Sequence, residues 1–235
     1  MGSHWKKCAI RRTTSWLLGH WSPDRSGERY TSVADHYFAA EPSSADVRRT
    51  VTGRIWGREY SFTTASGVFS RDRLDIGTAI LLREVPAPTG SGTFLDLGTG
   101  YGPIACALAV ESSAVVWAVD VNNRALELTA ENAKTAGVAD RVHTAQPDDV
   151  PADLLFDQIW SNPAIHIGKP ELHKMLLRWL ARLAPDGVAW FVVGKNLGGD
   201  SLQRWMTEQG YPCERVGSAK GFRVLRATNA GPAPS

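Results

Sequence analysis

Two carboxylates set around a glycine-rich turn give this sequence its clearest chemistry. The segment Thr93-Phe94-Leu95-Asp96-Leu97-Gly98-Thr99-Gly100-Tyr101-Gly102 runs from an apolar stretch into glycines at alternate positions. Glycines there let a ligand approach the backbone with no side chain in the way, and they permit conformations closed to other residues. The spacing is GxGxG, with Pro103 where a dinucleotide fingerprint would carry its third glycine, and Asp96 stands in the approach to the turn. A carboxylate at that point disfavours a pyrophosphate but suits a ligand that carries an ammonium and a sulfonium. Asp120 closes the next apolar stretch, a position suited to bidentate hydrogen bonding to a ribose diol. The competing reading makes Asp96 and Asp120 caps of the helices that follow them. Asp148 or Asp149, after a third stretch, either reaches an adenine amino group or is simply solvated.

A second cluster follows the fourth strand-like stretch: Trp160-Ser161-Asn162-Pro163-Ala164-Ile165-His166-Ile167-Gly168-Lys169. This loop resembles the Asn-Pro-Pro-aromatic loop of methyltransferases that act on planar amino nitrogens. The surrounding sequence is similar to the guanine-N2 ribosomal RNA methyltransferases of the RsmC type. The similarity spans roughly residues 35 to 227, through His36-Tyr37-Phe38, Gly67-Val68-Phe69-Ser70, Leu74-Asp75-Ile76-Gly77-Thr78, the glycine turn, Asp120-Val121-Asn122, Lys195-Asn196-Leu197-Gly198 and Lys220-Gly221-Phe222-Arg223. The resemblance implies S-adenosylmethionine as methyl donor, held by Asp96, Gly98, Thr99, Gly100, Gly102, Asp120, Val121, Asp148 and Asn162. It implies Asn162 and Pro163 as the catalytic pair, with no metal and no covalent nucleophile. The Asn162 carbonyl and a neighbouring backbone carbonyl accept hydrogen bonds from an exocyclic amine, orient its lone pair and stabilise the charge that develops as nitrogen attacks. Ala164 and Ile165 depart from the family pattern, so Phe69 or His166 is expected to supply the stacking surface. A hydrogen-bonded surface role for His166 and a plain turn at Asn162-Pro163 remain the alternatives. Lys195 and Lys220 are expected near strand ends at the same edge, touching substrate or capping helices.

The elements that must position these groups alternate regularly. Strands are expected at Thr93–Leu97, Ala114–Asp120, Val142–Ala145, Leu154–Trp160 and Val188–Val193, and helices near Pro103–Val110, Asn123–Ala136, Glu171–Leu183 and Ser201–Gln209. Two final strands, Tyr211–Val216 and Gly221–Ala227, close an antiparallel edge. The result is an α/β fold, a doubly wound seven-stranded mostly parallel sheet of Rossmann-like methyltransferase type. An N-terminal extension and a small β-hairpin over Arg48–Phe62 precede it, together with a helix that ends before Pro86. Four segments follow: a basic, tryptophan-bearing extension (1–30), the hairpin and helix (31–91), the donor-binding core (92–227) and a disordered tail (228–235).

A hydrophobic content of 43% with 21% charged residues excludes a disordered chain. A net charge of +2 does not by itself identify a polyanionic partner, but the arginine run Arg48, Arg49, Arg54 and Arg58 offers either an RNA-facing surface or a solvated face. Cys8, Cys106 and Cys213 are far apart and form no CxxC pair, which argues against a disulfide framework or zinc knuckle and for a cytoplasmic location. No apolar run approaches the roughly 20 residues of a membrane span. The expected partner is ribosomal RNA or a ribosomal subunit, with the base flipped into the pocket. Methylation of a protein amide or small molecule, and an RNA-binding module with little transfer activity, are the other readings.

Overall fold

The computed structural model describes residues 46–68, 73–163, 168–195 and 198–229. Expectations placed on the basic extension, on Phe69, on Ala164, Ile165 and His166, and on Asn196 and Leu197 lie outside the described residues. Strands β1 (Arg48–Ile55) and β2 (Arg58–Ala65) pair antiparallel from Arg48↔Ala65 to Ile55↔Arg58. Trp56 and Gly57 join them with φ of 46° and 85°, the mirror-image turn whose twist matches that of the strands. A tryptophan is costly in that conformation. It is held there by its indole N–H, which donates to the Val85 carbonyl at 2.9 Å, and by edge-on packing against Trp160.

Helix α1 (Ile76–Glu84) starts at Asp75, whose carboxylate accepts from the Thr78 N–H. A parallel unit follows: β3 (Thr93–Leu97), α2 (Pro103–Glu111), β4 (Val115–Val119), α3 (Asn123–Thr135), β5 (Val142–Ala145), β6 (Phe156–Ser161), α4 (Lys169–Leu180) and β7 (Leu183–Gly194). Helix α5 (Gly199–Glu208) and the strands β8 (Cys213–Ala219) and β9 (Phe222–Thr228) complete it. The sheet order is β5-β4-β3-β6-β7-β9-β8, with β9 antiparallel to both neighbours. Alternation along the strands divides the core between the two faces. Phe94, Val116 and Ala118 join the hairpin, α1, α2 and α3 on one side, while Leu95, Leu97 and Val119 join α4 and α5 on the other. The hairpin and α1 therefore share a core with the parallel unit.

Two expectations are corrected. The helix expected to reach Leu183 stops at Leu180, and Leu183 already pairs with Phe156 as the start of β7. Leu180 and Leu183 keep helical spacing and no glycine marks the stop, so apolar period alone ran through the boundary. Thr228, expected to open the tail, still pairs with Val188, and the Asn229 amide donates to the Leu183 carbonyl at 3.0 Å. Two arginines of the run pair with acids: Arg48 with nearby Asp46 and with Glu131 of α3, and Arg58 with Glu111 of α2. Those cations tie the hairpin to helices.

Candidate active site

The strand order reverses between β3 and β6, which is where an open α/β sheet leaves a crevice at its carboxyl edge. The loops after those two strands carry the glycine turn and Asn162. Their strands are in register, Leu97 opposite Ser161, and the Ser161 hydroxyl donates to the Leu97 carbonyl at 2.7 Å.

At the glycine turn, the Gly98 and Thr99 N–H groups both donate to the Val119 carbonyl, extending the β3–β4 ladder past the strand end. Gly98 (φ 77°) and Gly100 (φ 59°) border open space, since a Cβ on either meets no atom within 4 Å. Gly102 has a different reason: its Cβ would lie 2.8 Å from Thr129, so it allows α3 to pack against the turn. Pro103 then sits in the first turn of α2, where no N–H is missed.

Asp96 is fully buried. Its Oδ2 accepts from the Thr99 hydroxyl at 2.7 Å and from the Ala105 N–H at 3.0 Å, so one oxygen does serve the first turn of α2. Its Oδ1 is buried with no partner. Burial pushes this carboxyl up to about 7, against the two bonds it accepts and with a further push from the charge on Asp120. Asp120 accepts from the Gly100 N–H on one oxygen and the Asn122 N–H on the other, each at 3.0 Å, and burial raises it above the usual carboxylate range against these bonds. The helix cap here is Asn122, which accepts from Arg124 and Ala125 N–H groups. Each Asp120 oxygen keeps a free lone pair. Among the described residues no cation pairs with Asp96 or Asp120, so two acidic side chains stand at the glycine turn without a neutralising partner. Val121, 41% exposed, adds an apolar surface beside Asp120.

Asn162 faces α1. Its amide nitrogen donates to Asp75 Oδ2 at 2.7 Å and to the Thr78 hydroxyl at 3.1 Å. A carboxylate only accepts, so the amide must present its NH2 to Asp75. That leaves Oδ1 as the acceptor, with no hydrogen bond to it among the described residues. Gly77 makes room, since a Cβ there would stand 3.1 Å from Oδ1 and 3.2 Å from Nδ2 of Asn162.

The glycine turn, Asp120 and Val121, and Asn162 thus follow the carboxyl ends of the neighbouring strands β3, β4 and β6. Pro163 is buried directly after Asn162. Lys195, at the end of β7, donates its backbone N–H to the Gly221 carbonyl, and Lys220 (φ 46°) sits in the β8–β9 turn, so both lie at the same sheet edge. Asp148 is highly exposed and pairs with Arg178 of α4 at 2.8 Å. The Thr99 hydroxyl is turned inward to Asp96. Asp75 and Thr78 had no role assigned from sequence; an aspartate placed three residues before a threonine at a helix start was the available signal.

A seven-stranded sheet of this order, with an acid-flanked glycine turn at its switch point, defines a Rossmann-like methyltransferase fold. Residues 59–226 match the Methyltransferase small domain family, and the chain belongs to that family. It is 32% identical over 199 residues to Uncharacterized protein YbxB of Bacillus subtilis (strain 168), covering 83% of this chain and 98% of that one. It is 31% identical to Ribosomal RNA small subunit methyltransferase C of Acinetobacter baumannii (strain AYE) over 76% of this chain and 54% of that protein. It is 32% identical to Ribosomal RNA large subunit methyltransferase G of Streptomyces avermitilis over 70% of this chain and 44% of that protein. The chain thus spans about half the length of these two methyltransferases. A solved structure of the T. thermophilus 16S rRNA N2 G1207 methyltransferase, in complex with AdoMet and guanosine, superposes with a TM-score of 0.67 at 24% identity, over 78% of this chain and 51% of that one. Among the described residues no helix is long and apolar enough to cross a membrane.

Proposed function

We propose that this chain is an S-adenosylmethionine-dependent N-methyltransferase acting on a base of ribosomal RNA, with guanine N2 as the target atom. The observation that carries the reading is the meeting of two features across the β3/β6 switch point. One is a turn open over Gly98 and Gly100 between two carboxylates that pair with no cation among the described residues. The other is an asparagine whose carbonyl oxygen accepts no hydrogen bond among the described residues. The spare Oδ1 of Asp96 and the uncrowded turn fit a cationic nucleoside. In this reading the backbone at Gly98 and Gly100 and the Asp96 carboxylate receive the amino-acid end, Asp120 the ribose hydroxyls, and Val121 the flat face of the base. S-adenosylmethionine supplies an electrophilic methyl group on its sulfonium.

Asn162 Oδ1 accepts a hydrogen bond from the exocyclic amine and so points the nitrogen lone pair along the line of attack. Its fixed dipole interacts more strongly as positive charge grows on that nitrogen, which lowers the barrier rather than merely tightening binding. Pro163 stiffens the loop that carries the asparagine, and Lys195 and Lys220 offer cations to the phosphates flanking the base. The names of the Acinetobacter, Streptomyces and T. thermophilus relatives support the ribosomal RNA class, and the last supports guanine N2.

The test is incubation with methyl-labelled donor and fractionated ribosomal RNA or ribosomal subunits, followed by nucleoside analysis. Label in N2-methylguanosine is expected. Asp120→Ala is expected to weaken donor binding by about tenfold or more, the scale of a charge-assisted hydrogen-bond pair, and Asn162→Ala mainly to slow transfer. Label confined to protein, or donor affinity unaltered in the Asp120 variant, contradicts the assignment.

A further inference from the structure

The segment Leu74-Asp75-Ile76-Gly77-Thr78 precedes the parallel unit in the chain, yet three of its residues converge on Asn162. We infer that the first turn of α1 is an orienting clamp, with Asp75 and Thr78 acting as positioning residues that hold the Asn162 carbonyl oxygen toward the reacting amine.

An asparagine amide has two ends of nearly equal size and opposite polarity, so packing alone does not choose between them. Here both N–H bonds are committed, one to Asp75 Oδ2 at 2.7 Å and one to the Thr78 hydroxyl at 3.1 Å. Rotating the amide by half a turn would set Oδ1 against a carboxylate oxygen, lone pair to lone pair, so one rotamer is excluded electrostatically. The clamp is itself fixed. Asp75 Oδ2 also accepts the Thr78 backbone N–H at 2.9 Å, which ties the carboxylate to the helix it caps. Thr78 is buried, and Gly77 between them lets the amide lie against the helix without a methyl group intervening. One carboxylate therefore starts a helix and sets the polarity of a side chain 87 positions further along the chain.

The inference rests on the role given to Asn162 above. If the clamp acts as described, its loss lowers the fraction of enzyme with a correctly turned carbonyl and leaves the donor crevice intact.

Asp75→Asn and Asp75→Ser separate capping from clamping. Both residues are good helix N-caps, but asparagine offers an ambivalent partner and serine is too short to reach. Two readouts are needed. The first is hydrogen exchange of the Asn162 side-chain amide in nitrogen-15-labelled protein without donor or RNA: slow in the wild type, at least about tenfold faster in either variant, as expected when a charge-assisted bond is lost. The second is steady-state transfer: kcat lower by about tenfold or more, the scale of losing one preorganised group, with donor Kd and RNA KM within about twofold and thermal unfolding little changed. Unchanged amide exchange in both variants overturns the clamp, as does faster exchange with an unaltered kcat. A wild-type protein that labels no RNA overturns the proposed function instead, and the amide measurement then still decides whether the clamp exists.

Discussion

Asp96 is a carboxyl group shielded from solvent, with no cation beside it and no partner for one oxygen among the described residues. Burial holds it up near 7, whereas in the unfolded chain such a group titrates near about 4. Between these values the folded protein keeps a proton that the unfolded chain has released, so stability falls as pH rises through that window. Three units at about 1.4 kcal/mol each set an upper limit of about 4 kcal/mol on the loss. Urea unfolding of the donor-free protein is expected to give a lower free energy at pH 8 than at pH 5, with Asp96→Asn flattening the difference. Parallel pH profiles in wild type and variant would contradict this. Asp120, raised by burial, contributes in the same sense and His173, lowered by burial, in the opposite one, so Asp96 is read from the part of the pH difference that the variant removes. That Asp96 and Asp120 stand at the ends of adjacent strands beside the glycine turn was legible in the sequence from apolar runs that close on an acid. That Thr99 turns inward to Asp96, and that Gly102 answers to Thr129, was not, because both depend on which helix packs over the turn.

Helix α3 carries a buried asparagine in its last turn. Asn132 donates to the carbonyls of Thr63 at 2.8 Å and Tyr101 at 2.7 Å, and accepts from the Thr63 N–H at 2.7 Å. One amide thus joins the free edge of β2, the helix and the glycine turn. Asn122 and Arg124 repeat the link higher up, donating to the carbonyls of Gly67 and Ser66. Asn132→Ala leaves three backbone groups unpaired at a buried site, and at about 1 to 3 kcal/mol for each the loss should reach about 3 kcal/mol or more. Denaturant unfolding is the measurement, and a loss below about 1 kcal/mol would show that water replaces the amide. The same variant is expected to weaken donor binding, since the Tyr101 carbonyl belongs to the turn. The hairpin was legible from alternation and from Gly53 and Gly57, although the turn falls at Trp56-Gly57. Its attachment was not: Arg48 and Arg58, in a run that offered either an RNA-facing surface or a solvated face, pair with Glu131 and Glu111 on helices that are distant in sequence.

Across the whole molecule, the alternation of strands and helices fixed the fold class, but the spatial order of strands came only with the structure. That order brings the Asp96 and Asn162 loops side by side although dozens of residues separate them. Function and stability are coupled there. A donor that binds only the folded chain stabilises it by about 2.7 kcal/mol at a concentration of 100 Kd, which for a domain of this size corresponds to roughly 5 to 10 °C in Tm. A cationic donor favours the ionised form of Asp96, so its binding draws that carboxyl below 7 and releases a proton. Donor affinity should therefore rise with pH, by up to about tenfold between pH 6 and pH 8. Calorimetric titration in two buffers of different ionisation enthalpy measures the released proton directly, and thermal unfolding with and without donor measures the affinity difference. Asp96→Asn should bind more weakly, with no proton release and little dependence on pH. Equal affinity of the wild type at the two pH values, with no proton released, would mean that the buried carboxyl stays neutral beside the donor and that the negative lining of the crevice comes from Asp120 alone.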